Sequence, residues 1–590
     1  MKMGHPRHVR QICALLVACT AAASATDAEP PPRDPAAETL AARHAQFDPA
    51  ERMLKRPFSS PGYHTTLKGG MVHRTRESLE YAVACLDTGD PKLEQRAAGI
   101  LDRVIDLQDS DPKSPTCGIW PWFLEEPLAR MSPPDANWAD FCSVQLLEAV
   151  LNHEARLPAR LVKKIDGAIE RAARAIERRD VGPGYTNIAI MGSYVTLAVA
   201  ERLHLADLQN YALERWRIFH RAATQQGGFV EYNSPTYTVV GLTEVGRIRR
   251  YIRNAEARRL ADDIYRIAWQ EIALHFHAPS RQWAGPHSRG YSTLLGGNVL
   301  ALIQEATDGR VDFGAHRTRM ESARVPLPCP PEFESHFQRL DAAVTRVQRF
   351  NEDQPPVVGT THLAPSFTLG SVNYGSFWTQ QHPVIAYWGT PSEPAFLRVR
   401  FLHDGHDFAA AQVFTAQENG DLAGLVNFAT DGGDTHPSLD RLKGGTFRAR
   451  DLRLRFEFGG SAGRIGLKAP ASLSEPVVVK LGDLTVRIAI PAAQLGENPA
   501  RAEVGGERRT ACFDVVLFSG AEQTFDLAKI ERAFVAFTLR IAANGDAPFP
   551  AAVTADDERV ALKAGSLSVS AAIRPTTIRR LREAVKFPLP

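Results

Sequence analysis

The stretch Trp283-Ala284-Gly285-Pro286-His287-Ser288-Arg289-Gly290-Tyr291 places an imidazole, a guanidinium and a phenol within five residues, on a backbone broken by two glycines and a proline. A second stretch, Gly228 to Tyr237, brings Glu231, Tyr232, Asn233 and Tyr237 together around Pro235, which restricts the backbone between the last two. Gly184-Tyr185-Thr186-Asn187 leads into an apolar run at Ile188, where Asn187 either caps a helix or points its amide into a groove. Trp120, Trp122 and Trp138 share a Pro-punctuated region with Glu125, Glu126, Asp135 and Asp140. Such indole faces either stack on sugar rings or plug the ends of helices. Later in the chain, Asn373 to Trp378, with Tyr374 inside it, and Gln380-Gln381-His382 offer groups that either reach this groove or pack in a sheet.

The residue types suit removal of a weakly acidic proton beside a carboxylate, as at C5 of a uronic acid. Charge then builds on that carboxylate, and amides, imidazolium or guanidinium must neutralise it. Asn187, Asn233, His287 and Arg289 are the candidates for that task. A base near C5 and an acid near the glycosidic oxygen are also needed. A tyrosine serves if neighbouring cations lower its pKa from ~10. Tyr291 is the first candidate because of its cationic neighbours, Tyr237 the second, and His287 is an alternative base. Glu231, Asn233, Trp120, Trp122, Trp138, Tyr185 and Tyr374 are the candidate substrate-binding residues.

These motifs, in this order, resemble the toroid-plus-β-sandwich polysaccharide lyases, and within them the glucuronan and alginate lyase group with its (α/α)7-like barrel. The resemblance rests on Tyr185-Thr186-Asn187, Glu231 to Tyr237 and His287 to Tyr291. It implies β-elimination on a uronic-acid polymer, and site roles for Asn187, His287, Arg289 and Tyr291. One feature of some alginate lyases, an Asn followed at once by His, is missing, because Ile188 follows Asn187. Two other classes remain open. A glycoside hydrolase needs two opposed carboxylates, for which Glu125, Glu126, Asp135, Asp140 and Glu231 are available. A glycan-binding protein without activity needs only the aromatic motifs.

The elements that must position these residues change character along the chain. Residues from about 75 to 350 read as helices: Arg76 to Leu86, Leu93 to Leu107, Asp140 to Leu151, Ala159 to Arg178, Ile188 to Leu203, Leu205 to Gln225, Glu244 to His275 and Gly297 to Glu305. From about residue 355 the period becomes two, with strands such as Leu397 to Leu402, Thr446 to Phe458, Leu484 to Ile490 and Phe534 to Arg540. The expectation is an α+β chain. Residues 26–350 form an (α/α) toroid, incomplete or seven-paired, and residues 351–590 an antiparallel β-sandwich. Gly459-Gly460-Ser461-Ala462-Gly463 lacks the strand-turn-helix context of a nucleophile elbow and reads as a turn.

The chain has 590 residues, 69 basic and 67 acidic, with a formal net charge of +2. Nucleic acid binding therefore has no compositional support, and the expected partner is an anionic polysaccharide or oligosaccharide. Residues 1–25 have the layout of a signal peptide ending at Ala23-Ser24-Ala25, which implies a periplasmic or secreted protein. Leu16-Val17-Ala18-Cys19 fits the alternative, an outer-membrane lipoprotein tethered at Cys19. No later stretch reaches the ~20 apolar residues of a span. Of the five later cysteines, Cys117 and Cys142 are one candidate pair for a disulfide and buried free thiols the other reading. No cofactor is required by this chemistry. Asp431, Asp434 and His436 are the candidates for a structural divalent ion.

Overall fold

The computed structural model describes residues 35–60, 63–314, 319–351, 353, 355–433, 442–507, 509–543, 545 and 547–583. The signal segment, Cys19, Asp434 and His436 lie outside the described residues. From Pro35 onward the chain forms one compact unit.

Twelve α-helices run through the described residues. They are α1 (Pro35–His44), α2 (Thr75–Asp87), α3 (Pro91–Ile105), α4 (Asn137–His153), α5 (Ala159–Arg179), α6 (Thr186–Leu203), α7 (Ala206–Gln226), α8 (Tyr237–Tyr251), α9 (Ala255–His275), α10 (Gly297–Ala306), α11 (Pro331–Gln338) and α12 (Ile578–Glu583). The helical period of the sequence is borne out with one change. The run Glu244 to His275 is two helices, broken at Ile252 to Asn254, where the Asn254 side chain accepts the Ala257 N–H and caps α9.

Helices α2 to α9 make four consecutive pairs, and α2, α4, α6 and α8 contact one another in sequence. This is the incomplete form of the toroid, not seven pairs. α6 is buried almost all round, whereas α5 buries only a stripe of Leu161, Ile165, Ala168, Ile169, Ala172 and Ile176. That difference marks α6 as inner wall and α5 as outer wall. A three-stranded N-terminal sheet (Phe47–Asp48, Met53–Ser59, Gly69–His73) leans on this region. Glu125 receives the His73 N–H, and Glu126 receives Thr65 and Thr66.

The later region is antiparallel throughout its described ladders. A large sheet orders its strands Arg501–Glu507, Thr510–Asp526, Thr446–Gly460, Pro394–His403, Val384–Gly389, Phe367–Val372, Val358–Ala364 and Val344–Arg349. A six-stranded sheet faces it across a core that includes Leu369, Phe401, Phe428, Phe456, Phe513 and Phe537. A three-stranded sheet (Ala551–Ala555, Arg559–Ala564, Leu567–Ala572) covers the other face of the six-stranded one through Val560, Leu562 and Val569. This is the sandwich-like arrangement expected of period-two segments. Ser461 starts a single 3-10 turn, in keeping with its reading as a turn.

All five described cysteines are free and buried, which bears out the free-thiol reading over the Cys117–Cys142 pair. Cys142 sits in the α4 core, while the Cys117 carbonyl is held against α5 by Arg178. Asp431 accepts the Ile578 N–H at the start of α12. No cluster that could hold a metal occurs among the described residues. Nor is any described helix long and apolar enough to cross a membrane.

The two regions meet where the segment after α9 lies on the large sheet. The Thr361 hydroxyl donates to the Gly285 carbonyl at 2.7 Å. A Cβ on Gly370 would stand 1.9 Å from the same oxygen, so only glycine admits this approach. Gly370→Ala is therefore expected to cost about 1–3 kcal/mol or more by overpacking, read as a lower midpoint in urea unfolding. An unchanged midpoint would mean that the contact is not held in solution.

Candidate active site

The starts of the inner helices are tied together by side chains. Trp138, in the first turn of α4, donates its indole N–H to Thr75 of α2 at 2.9 Å. Asn137 donates to the Tyr185 hydroxyl just ahead of α6 at 3.1 Å. The Glu231 N–H reaches the Thr186 hydroxyl at 3.2 Å. The first turns of α2, α4 and α6 and the loop before α8 therefore form one rim. Helix N-termini carry partial positive charge, so this rim favours anions.

Two loops cross that rim and are laced to each other. Asn233, at φ 44°, donates to the Ala284 and Pro286 carbonyls, each at 2.8 Å, and accepts the Trp283 indole N–H. His287 donates from Nδ1 to the Asn233 carbonyl at 2.8 Å. Ser288 donates to the Tyr232 carbonyl, and Ser234 to that of Arg289. The Ser234 hydroxyl also receives the Tyr237 N–H at 2.9 Å. His287 then pairs with His382 by two backbone hydrogen bonds, which fastens the second loop to the β region.

This lacing brings a compact polar group to the surface. The Tyr237 and Tyr291 hydroxyls are 2.8 Å apart. Arg289 donates from Nη2 to the Tyr237 hydroxyl at 3.0 Å and from Nε to Gln380 at 2.8 Å. Its Nη1 faces Glu231 at 3.1 Å. The guanidinium also stacks over the Tyr237 ring at 4.8 Å and the Trp378 ring at 4.9 Å. Tyr291 is 61% exposed, Tyr237 and Arg289 are half-buried, and Glu231 is buried.

Burial and the neighbouring Tyr291 hydroxyl push the Tyr237 phenol up, with Arg289 opposing, so Tyr237 is a neutral donor at ordinary pH. Burial pushes the Glu231 carboxyl up to about 7, against the pull of Arg289 and of the Thr186 and Asn187 N–H groups. Asn187 follows in the first turn of α6 without capping it. Its Oδ1 is buried and has no hydrogen-bond partner among the described residues. Tyr185 lies within electrostatic range of Glu231 and Arg289.

The structure thus assembles Tyr237, Tyr291, Arg289 and Glu231, with Asn187 and Tyr185 beside them. Other expected site residues lie elsewhere, for physical reasons. Trp120 is fully buried, its indole N–H spent on the Val104 carbonyl. Asn233 is fully buried and its amide is consumed by backbone. His287 is buried, with its pKa pushed down to about 4 by desolvation, so it is neutral and holds a loop in place. Tyr374 is buried in the β region, donating to the Pro355 carbonyl. Trp122 and Trp138 are half-buried and tilted together at 5.0 Å, joined to the cluster through Asn137 and Tyr185. Gln380 and Trp378 join the site from the β region. The sequence marks their motif as polar and aromatic, but nothing in it indicates that they meet Arg289.

A domain-of-unknown-function family model (DUF8769) matches residues 47–304, which contain the rim and both loops. No curated protein matches the chain. Among solved structures, the chain is similar to a Streptomyces coelicolor A3 chondroitin AC lyase in complex with chondroitin sulphate. Identity is 12% over 91% of this chain and 84% of that one, with a TM-score of 0.47. It is also similar to a heparinase III, at 9% identity over 84% of this chain and 83% of that one, with a TM-score of 0.37.

Beneath the loops, Glu271 on α9 is fully enclosed and accepts from the Asn233 and Ser234 backbone N–H groups, with Thr238 at 3.5 Å. Burial raises its pKa from 4.5 to about 8. The unfolded chain therefore ionises first as pH rises, and the carboxyl's contribution to stability is lost between about 4.5 and 8. Glu271→Gln is expected to flatten that part of the stability-versus-pH curve. A curve parallel to the parent's over that range would contradict this.

Proposed function

We propose that the protein is a polysaccharide lyase that cleaves a uronic-acid polymer by β-elimination. The observation that carries this reading is the hydroxyl pair of Tyr237 and Tyr291, 2.8 Å apart and shared with Arg289. Arg289 and Asn187 flank the place where a uronate carboxylate binds. The guanidinium, with the Asn187 amide N–H, neutralises charge as the C5 proton leaves.

The two phenols differ in environment, which divides their roles. Tyr237, held neutral, is the acid. Tyr291, exposed and in electrostatic contact with Arg289, is the base. Tyr291 takes the C5 proton, the C5–H pair forms the C4–C5 double bond, and the C4–O bond breaks. Tyr237 gives its proton to the departing glycosidic oxygen. The short hydroxyl contact then lets Tyr291 return a proton to Tyr237, which restores the starting state.

Glucuronan and alginate are the first substrates to try, followed by glycosaminoglycans. The hydrolase alternative has less support from the geometry. Glu125 and Glu126 are engaged by the N-terminal sheet and its loop. Asp135 receives Trp122 and the Asn137 N–H, and Asp140 is fully enclosed. Glu231 is the remaining member of that set at the tyrosines. A signal peptide on residues 1–25, with periplasmic or secreted placement, fits an enzyme acting on an external polymer.

Incubation with each polymer separates the readings. A lyase generates a conjugated uronate that absorbs in the ultraviolet, whereas a hydrolase yields new reducing ends without absorbance. Tyr237→Phe and Tyr291→Phe are each expected to lower kcat/KM by about 10²–10⁴-fold on the polymer that is cleaved. Full activity in both variants would remove the phenols from the chemistry.

A further inference from the structure

Below the rim, the inner helices, with α1, the start of α10 and residues 319–324, line a half-open cavity of about 660 Å³, within the range of small-ligand sites. Its walls continue the faces that carry the site. On α8, Tyr237 shares a helical face with Val240, Glu244 and Arg247, which line the cavity. On α4, Trp138 is followed on the same face by Phe141 and Gln145, and on α6 Asn187 is followed by Met191. Three independent helices thus place a rim residue one turn above a cavity residue. From Tyr237 to Arg247 the wall descends about 15 Å at 1.5 Å per residue.

The lining is polar, and part of its charge is paired. Arg247 bonds Glu148 at 2.6 Å and also bonds Glu244. Arg76 pairs with Glu80, and Arg324 with Glu148. Among the lining residues one acceptor and two donors are left over, the donors being Arg43 Nη1 and Arg319 Nε. Glu244 is 3% exposed, and its Oε2 has no hydrogen-bond partner among the described residues. A buried acceptor without a donor is costly, and a sugar hydroxyl supplies that donor without adding charge.

We infer that this cavity is a glycan subsite that receives the end of the substrate chain, through the hydroxyl groups of its sugar ring or rings, so that cleavage occurs near chain ends. The inference rests on the lyase reading and extends it to mode of action.

The test follows absorbance and viscosity together on whichever polymer the wild-type protein cleaves. Val240→Trp fills the cavity from α8. Asn298→Trp narrows it from an exposed position on the opposite wall, where the fold bears little risk. The wild type is expected to raise absorbance while viscosity falls slowly, releasing small unsaturated products from the start. Both variants, melting like the parent, are expected to lose at least tenfold in kcat/KM. An early collapse of viscosity, or a folded Asn298→Trp that cleaves like the wild type, would overturn the chain-end subsite and leave the lyase reading standing. A wild type that yields no ultraviolet-absorbing product on any uronan would overturn both.

Discussion

One guanidinium joins the helical region, the loops and the β region. Arg289 touches the Tyr237 hydroxyl, Glu231, Gln380 and two aromatic faces at once. A planar fork with five donors can serve that many partners, and a lysine cannot. Its position is set by hydrogen bonds that its neighbours make to backbone, from Ser234, Ser288 and Asn233, and by the pairing of His287 with His382. Burying so many polar groups is tolerable because most are matched, although Glu231 Oε2, Glu271 Oε2 and His382 Nδ1 are left without a hydrogen-bond partner among the described residues. The loops are consequently braced at many points, and that rigidity of attachment sets the phenols they present 2.8 Å apart.

That rigidity has a base in the two regions below. The inner helices converge at their N-termini, and the bonds among Thr75, Trp138, Asn137, Tyr185, Thr186 and Glu231 prevent the rim from spreading. On the other side, the large sheet accepts the segment around Gly285 so closely that Gly370 has no room for a side chain. The candidate site therefore depends on a sheet that begins some fifty residues further along the chain. It also depends on an outer helix, α9, whose enclosed Glu271 props the loop from beneath.

Much of this was legible in residue order, and the rest was not, for identifiable reasons. Helical periodicity marks α3, α5 and α7 because each buries one stripe. Strands Val384–Gly389 and Asp421–Phe428 escape the period-two test, since they are buried on both faces and show no alternation. In the loops, residue type alone cannot separate a group aimed at substrate from one that satisfies backbone. Asn233 and His287 have the chemistry of a site, and in this structure Asn233 bonds two carbonyls and the Trp283 indole while His287 bonds a carbonyl and faces Tyr387. Asn187 has the chemistry of a cap, yet its oxygen is unmatched. Trp120 and Trp122 are two residues apart, and the backbone turns one into the core and leaves the other half-buried. Gln380 is brought to Arg289 by sheet packing, a contact that local sequence does not encode.

Besides facing the substrate carboxylate, Arg289 holds the Tyr237 hydroxyl, and a double-mutant cycle measures that link. Arg289→Ala, Tyr237→Phe and the combined variant would be compared with the wild type by kcat/KM for appearance of the unsaturated product. If the guanidinium and the phenol work as one unit, the combined loss falls well short of the sum of the single losses in free energy. Strict additivity, with each variant folded, would show that the two groups act independently and would contradict the arrangement described.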